Sequence, residues 1–143
     1  MQIPDIQYST YIQAPPQRVY EVLTTADGWD AWFTQGTRVD AQLGGSIRLC
    51  WSDWGLDHVT AQDGGAVLEA VPGQKFVFQW QPGDTPTTVA IELEARGSGT
   101  VVHLTETGYT SMNGFVDCAV GWGEALTLLK FYLEHGVTYG KVP

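Results

Sequence analysis

Two spacings run through this chain. Apolar and polar residues alternate over most of its length, while in the last long stretch apolar residues recur at steps of three and four. Between Asn113 and His135, the residues Phe115, Ala119, Trp122, Leu126, Leu129 and Leu133 share one helical stripe, so a long amphipathic helix is expected there. Ile6 to Ala14 alternates with Ile6, Tyr8, Thr10 and Ile12 on one side and reads as a strand. Ala14-Pro15-Pro16 ends it, and proline is tolerated in a first helical turn, so a short helix follows with Val19, Val22 and Leu23 inward, ending near Thr25. Thr25 to Phe33 forms a second short helical segment that crowds Trp29, Trp32 and Phe33 together.

From Thr37 the period shortens to two. Strands are expected over 37–41, 45–52, 57–71, 75–81, 87–95 and 100–107, separated by the turn signals Gly44-Gly45, Asp53-Trp54-Gly55, Pro72-Gly73, Pro82-Gly83-Asp84 and Gly97-Ser98-Gly99. Asp63-Gly64-Gly65 inside the third of these reads as a bulge or a separate hairpin turn. Connections this short imply antiparallel neighbours. Phe76, Phe78 and Trp80 share a face, as do Val89, Ile91 and Leu93, and Val102 and Leu104. The expected class is α+β: one domain over 1–143, with a curved sheet whose apolar face the terminal helix covers.

Composition narrows the function. A net charge of -9, with its few positives scattered singly, argues against nucleic acid and against anionic membranes. No membrane span or secretory leader is apparent, so a cytoplasmic protein with reduced Cys50 and Cys118 is expected. Metal-ligand spacing among His58, His103, His135 and the cysteines is absent, as are a nucleophile elbow and a phosphate loop, and no cofactor is expected.

Several motifs carry a resemblance. Ala14-Pro15-Pro16-x-x-Val19-Tyr20-x-x-Leu23-Thr24, then Trp32-Phe33, resembles the opening of the family homologous to the heat-shock protein 90 ATPase activator. That family lies within the START-like, birch-pollen-allergen-like superfamily of helix-grip folds. Gly44-Gly45, Gly65-x-Val67-Leu68-Glu69 with Pro72, Phe78-Gln79-Trp80, Gly99-Thr100 and Gly121-Trp122-x-x-x-Leu126 follow in the family's order, so the resemblance spans about Ile6 to Gly136. It implies a seven-stranded antiparallel sheet gripping the C-terminal helix, with a hydrophobic cavity between them. It implies no shared catalytic motif.

Six Trp, six Tyr and five Phe are a large aromatic load for 143 residues. Trp32, Phe33, Trp51, Phe78, Trp80, Tyr109, Trp122 and Leu126 are candidates to line that cavity, since small-molecule pockets are mostly apolar and aromatic. Glu106 follows Val102 and Leu104 onto the inward face, where it serves as a ligand anchor or acid/base, unless the strand ends early and leaves it at a solvated rim. Gly121 and Gly123 flank Trp122 at a cost of about 1 kcal/mol each relative to alanine, which reads as a tolerated kink, a close helix–sheet approach or room for a ligand. Phe131, opposite the stripe, points to a homodimer contact. The leading expectation is a module binding a small hydrophobic or aromatic molecule in a cavity of several hundred cubic ångströms. The alternatives are a cyclase- or dehydratase-like enzyme using Glu106 and Tyr109, and a chaperone-partner or stress-response interaction protein.

Overall fold

The computed structural model describes residues 2–143, in the order β1 (Ile6–Ile12), α1 (Pro16–Thr24), α2 (Ala26–Trp32), β2 (Arg38–Val39), β3 (Ser46–Trp54), β4 (Val59–Val71), β5 (Lys75–Trp80), β6 (Thr87–Arg96), β7 (Gly99–Thr107) and α3 (Met112–His135). The seven strands form one antiparallel sheet ordered β1-β7-β6-β5-β4-β3-β2. The short hairpins of the alternating region run as a meander from β2 to β7, and β1 closes against β7. This is the α+β helix-grip arrangement.

Period two selects the concave face. Ile47, Leu49, Phe76, Phe78, Val89, Ile91, Val102 and Leu104 are all buried there. Trp122, Ala125, Leu126 and Leu129 of α3 and Val19, Val22, Leu23 and Trp29 of the short helices join them in one core. In β1, Ile6 and Ile12 are buried, whereas Tyr8 is exposed and Thr10 only half-buried, because this edge strand has a neighbour on one side only. Ser111 caps α3 by accepting from the Gly114 N–H at 3.0 Å, and Gly136 ends it at φ 68°.

Three local features differ from expectation. The β2 strand is two residues long. Asp63-Gly64-Gly65 is neither turn nor bulge but stays within β4; a Cβ on Gly64 would lie 2.0 Å from the Ile47 carbonyl oxygen, so glycine lets β3 and β4 approach. The bulge falls later, at Leu68, between the pairs Val67–Phe78 and Glu69–Val77. A second irregularity, between Trp51 and Trp54, contains Asp53 with φ 52°.

Candidate functional site

The pleat sets the centre of the site. Trp80 pairs with Thr87, and Val89 with Glu106, so Trp80, Thr87 and Glu106 project from the same face of three adjacent strands. Glu106 is 0% exposed. Its Oε2 accepts from Trp80 Nε1 at 2.8 Å and from Thr87 Oγ1 at 2.5 Å; its Oε1 accepts from Trp122 Nε1 at 2.7 Å. An indole N–H can only donate, so each of the two oxygens accepts at least one hydrogen bond. The bond from Trp122 ties α3 to the sheet, and losing a partner in so buried a cluster would leave a polar group unsatisfied at a cost of about 1–3 kcal/mol.

Beside this cluster, burial raises the Tyr109 phenol above its ordinary value, and the neighbouring Cys118 and Glu106 add to the rise. The phenol therefore keeps its proton; its Oη makes no hydrogen bond of full geometry, although Cys118 and Glu106 lie near enough to act on it. Burial likewise raises the Cys118 thiol, with the charges of Glu106, Asp117 and Asp63 adding and Tyr109 opposing. A thiol held protonated is a poor nucleophile.

Two clefts meet at Phe33 and Trp80. The smaller, about 140 Å³, lies between α2, β5 and α3 and is bordered by Phe33, Trp80, Asp117, Cys118, Gly121, Trp122 and Ala125. The larger, about 390 Å³, opens over β3–β5 and is bordered by Phe33, Trp51, Trp54, Val59, Ala61, Gln62, Asp63, Trp80, Gln81 and Pro82. The space directly under α3 is thus smaller than several hundred cubic ångströms. The Trp80 and Trp122 rings, 5.6 Å apart, and Phe78, 6.1 Å from Trp80, occupy much of it.

The anticipated residues divide accordingly. Phe33, Trp51, Trp80 and Trp122 border the clefts. Phe78 and Leu126 are wholly buried and border neither. Trp32 stacks between Trp29 and Phe33, at 5.4 and 5.1 Å, and borders an adjoining hollow of about 280 Å³ beneath the C-terminal segment, which shares Phe33 and Trp54 with the larger cleft. Glu106 stands behind the wall, and Tyr109 packs edge-on against Phe115 at 6.2 Å. Gly121 and Gly123 have open space where a Cβ would be, which removes the close-approach explanation.

Trp54, Asp63, Asp117 and Cys118 border the clefts without having been anticipated. Trp54 has the opposite parity to Trp51, and only the irregularity at Asp53 brings both to one cleft. Among the described residues, no three His, Cys, Asp or Glu side chains gather as metal ligands, and no helix is long and apolar enough to cross a membrane.

The family model described as "Activator of Hsp90 ATPase homolog 1-like protein" matches residues 13–134. Among solved structures, the chain is similar to the Aha1 dimer from Colwellia psychrerythraea at 24% identity and TM-score 0.78, covering 94% of this chain and 98% of that one. It is also similar to protein SSP2350 from Staphylococcus saprophyticus, at 23% identity and TM-score 0.80 over 97% of this chain and 98% of that one. DynU16, a protein in the dynemicin biosynthetic locus, matches at 19% identity and TM-score 0.81, over 94% of this chain and 49% of DynU16. These likenesses establish a shared fold. No curated protein matches.

Proposed function

The chain belongs to the Activator of Hsp90 ATPase homolog 1-like family, and from that premise we propose that it binds a small, mainly apolar or aromatic molecule in the paired clefts around Trp80. One observation carries this reading: Phe33 and Trp80 are common to two aromatic-walled clefts of about 140 and 390 Å³. The larger volume falls within the usual range of small-molecule pockets. The cyclase- or dehydratase-like alternative has less support, because Glu106 borders neither cleft and its oxygens already accept three hydrogen bonds. The unpaired thiols of Cys50 and Cys118 suit a reducing compartment such as the cytoplasm. We further propose a homodimer through the outer face of α3, where Val116, Val120 and Phe131 are exposed, a reading prompted by the dimer formed by the Colwellia relative.

Titration of the ¹⁵N-labelled protein with 2-naphthol tests the binding reading. Indole N–H signals of Trp51, Trp54, Trp80 and Trp122 are expected to shift while those of Trp29 and Trp32 hold still. Gly121→Phe, which projects into the smaller cleft, is expected to weaken the response. Folded protein whose indole signals ignore the compound would refute the reading.

A further inference from the structure

No cationic side chain borders either cleft. The larger holds a single carboxylate, Asp63, and the smaller holds Asp117. Behind their shared wall, Trp80 and Trp122 both donate to Glu106. An indole that donates its N–H to a carboxylate gains electron density, and it is the ring face that attracts a cation. The nearest cations flank the larger cleft without lining it, Lys141 donating to Ser52 O in the adjoining hollow and Arg48 held on Gln62. An anionic ligand would therefore meet a carboxylate at the wall, while the net charge of -9 concentrates cations around the whole molecule.

The ring geometry suits a compact positive head. Phe33 stands at 76° to Trp51 and 83° to Trp54, with centroids 5.5 and 5.0 Å away. The walls therefore meet as near-perpendicular rings instead of one flat stack. Trp80, 6.5 Å from Trp51, adds a further side. Asp63 is fixed at this cleft: its Oδ1 accepts from the Gly64 and Gln81 N–H groups at 2.7 and 3.0 Å, and Gln81 N–H also lies 3.2 Å from Oδ2.

We propose that the larger cleft takes an organic cation, a quaternary or alkylated ammonium head held among Trp51, Trp54 and Trp80 beside Asp63, with the apolar part of the molecule reaching past Phe33. This rests on the small-molecule reading above and adds the sign of the ligand's charge. Aromatic walls hold such a head without hydrogen bonds, and one carboxylate supplies the counter-charge.

The test compares three phenols with nearly the same outline, by calorimetry and by indole N–H shifts. 3-(Trimethylammonio)phenol carries the cation, 3-tert-butylphenol is its neutral isostere, and 3-hydroxybenzenesulfonate is the anion. The cation is expected to bind about tenfold tighter than the neutral isostere, the scale of a partly desolvated cation–aromatic contact. The sulfonate is expected to be the weakest of the three. Asp63→Asn keeps an oxygen for both backbone N–H groups, so it is expected to weaken the cation several-fold more than it weakens 3-tert-butylphenol, and an amide spectrum unchanged away from the cleft reports that the variant is folded. A neutral isostere binding as tightly as the cation overturns the charge assignment and leaves the small-molecule reading standing. Cation binding unchanged in Asp63→Asn, or shifts confined to indoles other than Trp51, Trp54 and Trp80, overturns the site. Binding by neither 3-tert-butylphenol nor the cation overturns both readings.

Discussion

Glu106 and Tyr109 lie close together, yet the protein treats them oppositely. Glu106 is satisfied by three donors, whereas Tyr109 Oη is buried without a hydrogen bond of full geometry. Cys118 and Glu106 nonetheless lie near enough to act on Oη, so Tyr109→Phe is expected to change stability at neutral pH by no more than about 1 kcal/mol in either direction. The alkaline limb gives the sharper test. A phenol raised on folding contributes stability that is fully present below its unfolded value of 10.0 and is lost as pH climbs from there towards the folded value. The Cys118 thiol, raised from 9.0, acts in the same direction and starts the loss earlier. Urea midpoints measured from pH 7 upward should therefore begin to fall above about 9 in both proteins and, above about 10, fall more steeply in the wild type than in Tyr109→Phe. Parallel alkaline limbs would show that the phenol titrates alike in folded and unfolded chains.

At the scale of elements, glycine means opposite things in β4 and α3. In α3, Gly123 has open space around the missing Cβ, so Gly123→Ala should gain about 1 kcal/mol of helix propensity. In β4, a Cβ on Gly64 would lie 2.0 Å from Ile47 O and 2.8 Å from Arg48 Cα, so Gly64→Ala should lose about 3 kcal/mol by forcing β3 from β4. Chemical denaturation of the two variants measures both, and a destabilised Gly123→Ala would contradict the open environment. From sequence the two glycine pairs were ambiguous for the same reason: an absent side chain does not say what it makes room for. Alternation located the strands well where one face alone is buried, as in β3 and β6; in β5 and β7 consecutive residues are buried, and β4 buries only Val67. The turn expected at Asp53-Trp54-Gly55 begins later, because Asp53 in the left-handed region bends β3 without ending it, and Trp54 still pairs with Val59.

For the whole molecule, α3 plays two parts. Its inner stripe closes the core, and its outer face leaves Val116 and Val120 47% and 69% exposed, with Phe131 at 42%. Two chains of net charge -9 repel, and salt screens that repulsion over about 10 Å at 0.1 M. Sedimentation velocity is therefore expected to show dimer that increases with protein concentration and with salt, and Phe131→Glu is expected to return it to monomer. Wild-type protein sedimenting as a monomer under all these conditions would rule the dimer out.

By itself, the sequence determined the order of elements, the inward stripe of α3, the buried faces of the strands and the absence of the local motifs on which nucleotide and metal sites depend. These are properties of neighbours along the chain, where a period of two or 3.6 carries the information. Only the tertiary structure decided that Glu106 lies behind the cleft wall, that Phe78 and Leu126 are sealed in the core, and that Trp54 and Asp63 border the larger cleft. Those outcomes depend on how far each strand bends and which rings fill the space under α3. Such distances arise between residues far apart in the chain, and no periodicity encodes them.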